Sequence, residues 1–308
     1  MKTIIRKSVL ASVIALAGQQ ATALNITFDY SLDSNNFFDT QAKRDVLSAA
    51  GSYFGNLIQD ELTAIESSGA NSFDAYLSNP ASGDTTIISD LSIAADTLVI
   101  YTGGRLLGEN SLGLGGPGGY SASGFGSFVD NAATRGQAGE TSGAGATDFA
   151  PWGGSLTFNS AADWYFDTDP STNESFSDND FYSVALHEIG HLLGVGLADS
   201  WSNQITGALF NGVASAAVYG EGVPVNGEGS HWAEGTEGFV NGVLQEAAMD
   251  PSIVTGTRKV FTDLDVAALS DIGWEVAPVP VPAAAWLFGS SLLGLATVAR
   301  KRSRHSRA

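Results

Sequence analysis

The sequence His187-Glu188-Ile189-Gly190-His191 constrains the fold of this chain more than any other feature. Side chains four residues apart lie on one face of an α-helix, so the imidazoles of His187 and His191 can bind one metal ion. The carboxylate of Glu188 then projects towards a water bound to that ion. Zinc at an open site lowers the pKa of such a water, and a neighbouring carboxylate can accept its proton. The motif therefore predicts a zinc hydrolase.

The residues before the motif favour this interpretation over a chance match of a short pattern. Asp180 is a good helix N-cap, and the run from Phe181 to Leu186 is mostly apolar. Together they predict a helix that begins near residue 181 and is largely buried.

Charge separates the two ends of the chain from its body. The 308 residues have a formal charge of −19, from 33 acidic and 14 basic side chains. Eight of the basic residues lie at the ends, so the body has 6 basic against 33 acidic ones, a net charge of −27. Such a body is not expected to bind nucleic acid, and it favours solubility outside the cell and binding of divalent cations. The lack of cysteine excludes disulfides, thiolate metal ligands and a cysteine nucleophile.

Residues 1–23 have the pattern of a secretory signal peptide. Three basic residues precede an apolar stretch, and Ala21-Thr22-Ala23 has the small residues of a cleavage site. The apolar stretch is too short to span a membrane comfortably, which counts against a membrane anchor. The mature chain is expected to begin near Leu24.

The last segment, residues 277–308, has three parts. Pro278 to Pro282 is rich in proline, residues 283–299 are uncharged, and Arg300-Lys301-Arg302 follows. This order predicts a short transmembrane helix over 283–299 with its basic end in the cytoplasm. The tail resembles the PEP-CTERM class of bacterial sorting signals, with Val281 where the name-giving motif has Glu. The resemblance implies an exosortase-type sorting enzyme as partner and at least transient membrane attachment; the alternative is a plain tail anchor.

Both ends predict export of the body through the cytoplasmic membrane. The sorting signal implies a Gram-negative-type bacterium, with the protein at the cell envelope surface or outside the cell. The expected organisation is a signal peptide at 1–23, one domain at 24–276 and the sorting segment at 277–308. With 44% hydrophobic residues in the sequence, that domain can bury a core. Nothing in the sequence indicates the oligomeric state.

Five segments of the body predict its organisation. Residues 24–30 and 153–159 alternate between apolar and polar positions, which predicts strands, and 97–102 predicts a third strand. Between about 40 and 67, apolar residues recur at helical spacing, which predicts one long amphipathic helix. The glycine-rich stretch 103–154 predicts a large surface excursion with turns. We expect the strand at 153–159 to be an edge strand that binds a substrate peptide.

Five aspartates cluster in a loop before the motif: Asp163, Asp167, Asp169, Asp178 and Asp180. Carboxylates at this density can bind Ca²⁺, although their spacing does not match an EF-hand loop. A calcium site and a plain solvated loop are therefore both open.

A catalytic zinc usually has three protein ligands and one open position, so a third ligand is required. The chain contains four histidines, of which one lies in the basic tail. His231 is therefore the favoured third ligand, because imidazole suits zinc. Asp199 is the nearest acidic alternative, and Glu221, Glu228 and Glu234 are weaker ones.

Two more features lie downstream of His231. Met249 is the only methionine after Met1, and it stands in a turn-like context. Thr262 to Asp265 has the sequence of a capping box that opens a helix, which Gly273 closes.

Together these motifs resemble the metzincin zinc peptidases, in particular the matrixin-like and leishmanolysin-like branches. The resemblance implies an α+β fold, with a twisted mixed sheet, a long helix, an active-site helix and a C-terminal helical subdomain. Compact members have the third histidine three residues after the glycine, where this chain has Leu197. Leishmanolysin-like members have an insertion there, which corresponds here to residues 195–230. The resemblance implies zinc bound by His187, His191 and His231, Glu188 as general base, Gly194 as the bend after the helix and Met249 as the methionine of the turn.

The leading interpretation is an exported zinc-dependent endopeptidase that acts on a protein or peptide substrate. A non-catalytic surface or extracellular-matrix protein could keep the same fold, although a structural zinc site has no use for the base Glu188. A gluzincin-type metalloprotease would need a glutamate ligand on a following helix, whereas the glutamates here lie among glycines.

Overall fold

A computed structural model describes residues 24–277 except Thr168 and Asn173. The signal peptide expected at 1–23 and the transmembrane helix expected at 283–299 lie outside the described residues. Within the described part, no helix is both long and apolar enough to cross a bilayer.

The described residues form a mixed α+β fold. The helices are α1 (Gln41–Leu57), α2 (Ser127–Thr134), α3 (Phe181–Leu192), α4 (Asp199–Ser202), α5 (Val213–Tyr219) and α6 (Asp263–Asp271). The strands are β1 (Asn25–Asp29), β2 (Ser72–Ser78), β3 (Thr85–Ile88), β4 (Thr97–Arg105), β5 (Gly113–Pro117), β6 (Gly119–Ser123), β7 (Gly153–Asn159), β8 (Trp164–Tyr165), β9 (Asn179–Asp180), β10 (Ile205–Thr206), β11 (Leu209–Phe210), β12 (Val223–Pro224), β13 (Glu237–Val240) and β14 (Val243–Glu246).

A four-stranded sheet with the order β1-β4-β7-β5 is the centre of the fold. Strands β1, β4 and β7 run parallel, and β5 is antiparallel to β7. The mostly buried sequences of β4 and β7 suit strands that are covered on both faces. The three strands predicted from periodicity are confirmed as β1, β4 and β7. Strand β2 joins β3 and β6 in a separate three-stranded sheet, β10, β11 and β12 form another, and β8-β9 and β13-β14 are two-stranded.

The prediction that residues 153–159 form an edge strand is wrong. β7 lies inside the sheet, because β5 pairs along its outer side with Gly115 opposite Leu156. The glycine-rich stretch 103–154 is therefore not only a surface excursion, since it supplies the edge strand β5 as well as β6 and α2. Glycine makes this possible: β5 packs against α3 so closely that side chains on its inner face would collide with the helix.

The long helix predicted between 40 and 67 is also shorter than expected. α1 is capped by the side chain of Thr40 and ends at Leu57, and Ile58 is already extended. Ile58 forms a bridge with Val276, and Ile65 forms one with Ile93. The apolar residues after Leu57 thus reach the core from an extended segment. Their spacing in the sequence continues that of the helix only by chance.

The main core lies between the central sheet, α1, α3 and α6. Phe158 of β7 and Phe181 of α3 pack with their ring centroids 4.5 Å apart, and Phe54 of α1 meets Phe261 at 4.8 Å. A smaller core around Phe73 lies on the side of the second sheet. α6 begins with the predicted capping box, in which Thr262 and Asp265 bond reciprocally, so that prediction is confirmed. These contacts fix α3 against the sheet, with β5 along one side of it.

Candidate metal centre

The helix α3 holds the first two histidines in place. The carboxylate of Asp180 caps it by accepting a hydrogen bond from the amide of Ser183, and Arg258 binds the same carboxylate at 2.8 Å. Every residue of α3 except His187 is buried, so the helix has one position in the core and little freedom to move. The predicted buried motif helix is confirmed.

Three imidazoles meet at one point of the structure. Nε2 of His231 lies 3.2 Å from Nε2 of His187 and 3.0 Å from Nε2 of His191, and the latter two atoms are 3.1 Å apart. Nitrogen ligands about 2.0–2.1 Å from a tetrahedral zinc lie about 3.3 Å from one another. The donor set and its spacing therefore fit zinc, with a fourth position open.

Hydrogen bonds select the metal-binding tautomer of the two helix histidines. Nδ1 of His187 lies 2.7 Å from the carbonyl oxygen of Ala248, and Nδ1 of His191 lies 2.8 Å from that of Val195. A carbonyl oxygen can only accept, so each Nδ1 carries the proton and each Nε2 keeps its lone pair.

Burial keeps the three imidazoles neutral, which is the form that binds a metal. It lowers the pKa of His191 to about 4 and that of His231 below its usual value. The pKa of His187 lies well below the usual value, mainly because of burial and also because of the two neighbouring histidines.

A short loop that closes on itself presents His231. The side-chain oxygen of Asn226 accepts hydrogen bonds from the amides of Ser230, at 3.0 Å, and His231, at 3.3 Å. The amide of Asn226 donates to the carbonyl of His231 at 2.9 Å. Trp232 anchors the loop from below, because its indole N–H donates to Asp265 at 3.0 Å. Asn226 and Asp265 are the residues that sequence reasoning missed in this role.

Met249 lies directly beneath the motif. It is fully buried, and a Cβ added to Gly190 would stand 2.5 Å from its sulfur atom. The buried carboxylate of Asp265 accepts hydrogen bonds from the amides of both Ala248 and Met249. One carboxylate therefore holds the methionine turn together with the His231 loop. The capping-box pattern was the only sequence signal for Asp265. It predicted the start of a helix and gave no indication of the bonds to Trp232, Ala248 and Met249.

Gly194 stands at the predicted bend. Its φ of +104° is one that side-chain-bearing residues rarely adopt, and an added Cβ would lie 2.8 Å from the ring of Phe149. The chain then turns away from the histidines through Leu197, which lines the cleft. The alternative ligand Asp199 is not brought to the imidazoles, since its carboxylate accepts a hydrogen bond from the amide of Gly143 at 2.6 Å.

Glu188 stands between the histidines and strand β5. Its side chain is 6% exposed, and burial raises the pKa of its carboxyl to about 8, while the amide of Gly115 donates to it. A Cβ on Gly113 would lie 2.5 Å from the Glu188 carboxylate, and one on Gly115 would lie 2.3 Å from its carbonyl oxygen. The glycines of β5 thus make room for the carboxylate beside the metal centre. Glu188 and the three histidines, His187, His191 and His231, all open onto one cleft of about 560 Å³.

The aspartate loop is held by an arginine. Arg258 forms ion pairs with Asp167 and Asp180, each at 2.8 Å. Among the described residues, the acidic and histidine groups close enough to hold a metal do not include these loop aspartates. Calcium binding there stays a prediction.

A comparison with family models matched residues 127–206 to the Matrixin family. The matched segment includes α3 with His187, Glu188 and His191, and it ends before His231. This match supports a metzincin-like family. The mixed α+β fold is compatible with a matrixin-like domain, and a metzincin-like family points to zinc and to a metallopeptidase-type function. No curated protein and no solved structure matched the chain.

Proposed function

We propose that the protein is an exported zinc-dependent endopeptidase. The observation that carries the proposal is the convergence of three neutral imidazoles beside the buried carboxylate of Glu188, in a cleft open to substrate. A site with three protein ligands and an adjacent base has the composition of a catalytic zinc centre, whereas structural zinc sites have four ligands. Export and sorting rest on the sequences of residues 1–23 and 277–308.

Strand β5 is suited to hold the substrate. It is the edge of the central sheet, and Gly113, Leu114 and Gly115 line the cleft. An extended peptide can add to a free strand edge through main-chain hydrogen bonds, independently of its side chains. This mode of binding would place a peptide bond of the substrate next to Glu188 and the three histidines.

Zinc held by His187, His191 and His231 would supply a polarised carbonyl and a water of lowered pKa. Glu188 accepts the proton of the attacking water and passes it to the leaving amine. Burial raises the pKa of its carboxyl, which makes the ionised form a stronger base than a carboxylate in water, and a zinc ion beside it would favour that ionised form. The carbonyls of Ala248 and Val195 keep two of the imidazoles oriented throughout.

The experiment compares the purified protein with its Glu188→Gln variant on casein and gelatin, with and without a chelator. We expect the wild type to cleave both proteins and to lose activity with the chelator. The variant should keep its zinc, measured by atomic absorption, and lose proteolysis. Retained proteolysis in the variant would contradict the role of Glu188 as general base. A zinc-loaded wild type without any peptidase activity would favour the non-catalytic surface protein.

A further inference from the structure

The charged side chains that line the cleft are mostly acidic. Besides the proposed base Glu188, the residues Glu228 and Asp250 line it, whereas Lys259 is the only Lys or Arg among the lining residues of the described chain. Glu228 is exposed in the loop before His231, and no ion pair involves it in the described part of the chain. The sign of the charge that a substrate meets therefore depends on whether the ammonium group of Lys259 is free to pair with it.

Lys259 is not available to a substrate. Its ammonium binds the carboxylates of Asp250 and Glu246, each at 2.6 Å, and the carbonyl of Ser252. An ammonium group has three N–H donors, and these three acceptors use all of them. The residue is also 6% exposed, so an anionic side chain could reach it only by displacing a buried carboxylate.

The acidic groups around Lys259 outnumber it. Glu234 joins Glu246 and Asp250 in a group whose carboxylate oxygens lie within 4.8 Å of one another. Burial, together with the carboxylate of Glu246, raises the pKa of Asp250 to about 7, so Asp250 itself is only partly charged at neutral pH. Even without its charge, Glu234 and Glu246 outnumber Lys259 two to one. The wall of the cleft behind Asp250 therefore keeps negative charge in spite of the lysine.

Cations elsewhere do not change this balance. Of the basic residues within 24–277, only Lys259 reaches the cleft, and the nearest one in sequence, Arg258, is bound by Asp167 and Asp180. All 33 acidic residues of the sequence fall in the same part of the chain. The basic residues there are Lys43, Arg44, Arg105, Arg135, Arg258 and Lys259.

We propose that the substrates of this cleft are cationic polypeptides, with lysine or arginine side chains flanking the bond that is cleaved. The inference rests on the proposed peptidase function and names its substrate class. An acidic cleft raises the local concentration of cationic partners and repels anionic ones, and it acts mainly on association. A bound zinc would add positive charge at the centre of the cleft, so the preference applies to the residues on either side of the cleaved bond.

The test uses three quenched fluorescent peptides that share one cleavable sequence and differ only in their flanking residues, which are Lys, Gln or Glu. We expect kcat/KM to fall in the order Lys, Gln, Glu, with about a tenfold or larger difference between the first and last at low salt. The difference should shrink in 0.5 M salt, because ions screen the charges. It should arise from KM more than from kcat.

Two variants locate the effect. Glu228→Gln should reduce the ratio of Lys to Glu peptide cleavage by about two- to fivefold. Glu66→Gln removes an equal charge from an exposed position that does not line the cleft, and it should leave the ratio unchanged. Equal effects of the two variants would mean that the cleft charges are not responsible.

The outcome separates this inference from the proposed function. If the Gln peptide is cleaved and the Lys and Glu peptides are cleaved equally well, the charge preference is wrong and the peptidase stands. If none is cleaved, fluorescence anisotropy of the same peptides with the Glu188→Gln variant still measures their binding. Equal binding of the Lys and Glu peptides to that variant would overturn the inference.

Discussion

The hydroxyl oxygen of Ser230 lies 2.9 Å from Nδ1 of His231. The two helix histidines have backbone carbonyls at the corresponding position, and no substitution of a side chain can remove those acceptors. The third imidazole depends instead on a side chain. When Ser230 accepts the hydrogen bond from Nδ1–H, Nε2 of His231 is free to bind the metal.

Replacement of Ser230 by alanine should weaken zinc binding by about 10- to 100-fold, because the tautomer and the orientation of His231 are no longer fixed. Ser230→Thr keeps the hydroxyl and should retain most of the affinity. Competition with a chromophoric chelator measures both values, and the Glu188→Gln background prevents self-digestion. An alanine variant with wild-type affinity would show that the loop backbone alone orients His231.

The assignment of the third ligand is tested by a pair of substitutions. His231→Ala should lower the zinc content and abolish peptidase activity, since two imidazoles remain. Asp199→Ala should leave the zinc content unchanged, because its carboxylate binds the amide of Gly143 and not the metal centre. Metal analysis after dialysis reads out both variants. The reverse result would move the third ligand to Asp199.

The close approach of β5 to α3 predicts a strong effect of a single methyl group. Gly115→Ala would place a Cβ only 2.3 Å from the carbonyl oxygen of Glu188, so the strand or the helix must shift. We expect a loss of about 1–3 kcal/mol in the free energy of unfolding and at least a tenfold loss of kcat/KM. Gly108→Ala is the control, because nothing lies within 4 Å of its added Cβ. Urea denaturation and peptide cleavage measure the two effects.

Asp60 predicts a dependence of stability on pH. Burial raises the pKa of its carboxyl to about 7 in the folded protein, against 3.8 as the ordinary value. Between these values the folded state holds a proton that the unfolded state releases, so this group makes stability fall as the pH rises from about 4 to 7. Asp60→Asn keeps an acceptor for the amide of Glu275. It should remove this contribution, which lowers the free energy of unfolding by about 2 kcal/mol between pH 5 and pH 8. Urea denaturation of both proteins at pH 5 and pH 8 measures it; equal slopes would contradict the assignment.

Local sequence determined the elements that carry the chemistry. The four-residue spacing of His187 and His191, the cap at Asp180 and the apolar run after it fix a buried helix with both imidazoles on one face. The capping box at Thr262 likewise fixed where α6 begins. These features depend on neighbours in the chain, whose side-chain directions follow from the helix itself.

Contacts between distant parts of the chain decided the rest. Periodicity could not show that α1 ends at Leu57, because the apolar residues that follow meet the core from an extended segment paired with Ile93 and Val276. Nor could it show that Gly113 and Gly115 belong to an edge strand. Glycine is required there because a side chain would collide with Glu188, which lies more than 70 residues later in the chain.

The metal centre shows the same division. The number of histidines in the sequence was enough to favour His231, but not to place it. Its position follows from Asn226, which closes the loop, and from Asp265, which joins that loop to the methionine turn through Trp232 and Met249. A hydrogen bond across 33 residues leaves no periodic trace in a sequence, because it depends on where the folded chain brings donor and acceptor together. The sequence alone thus determined which chemistry the chain is predicted to carry, and the tertiary structure decided which residues hold the candidate metal centre in place.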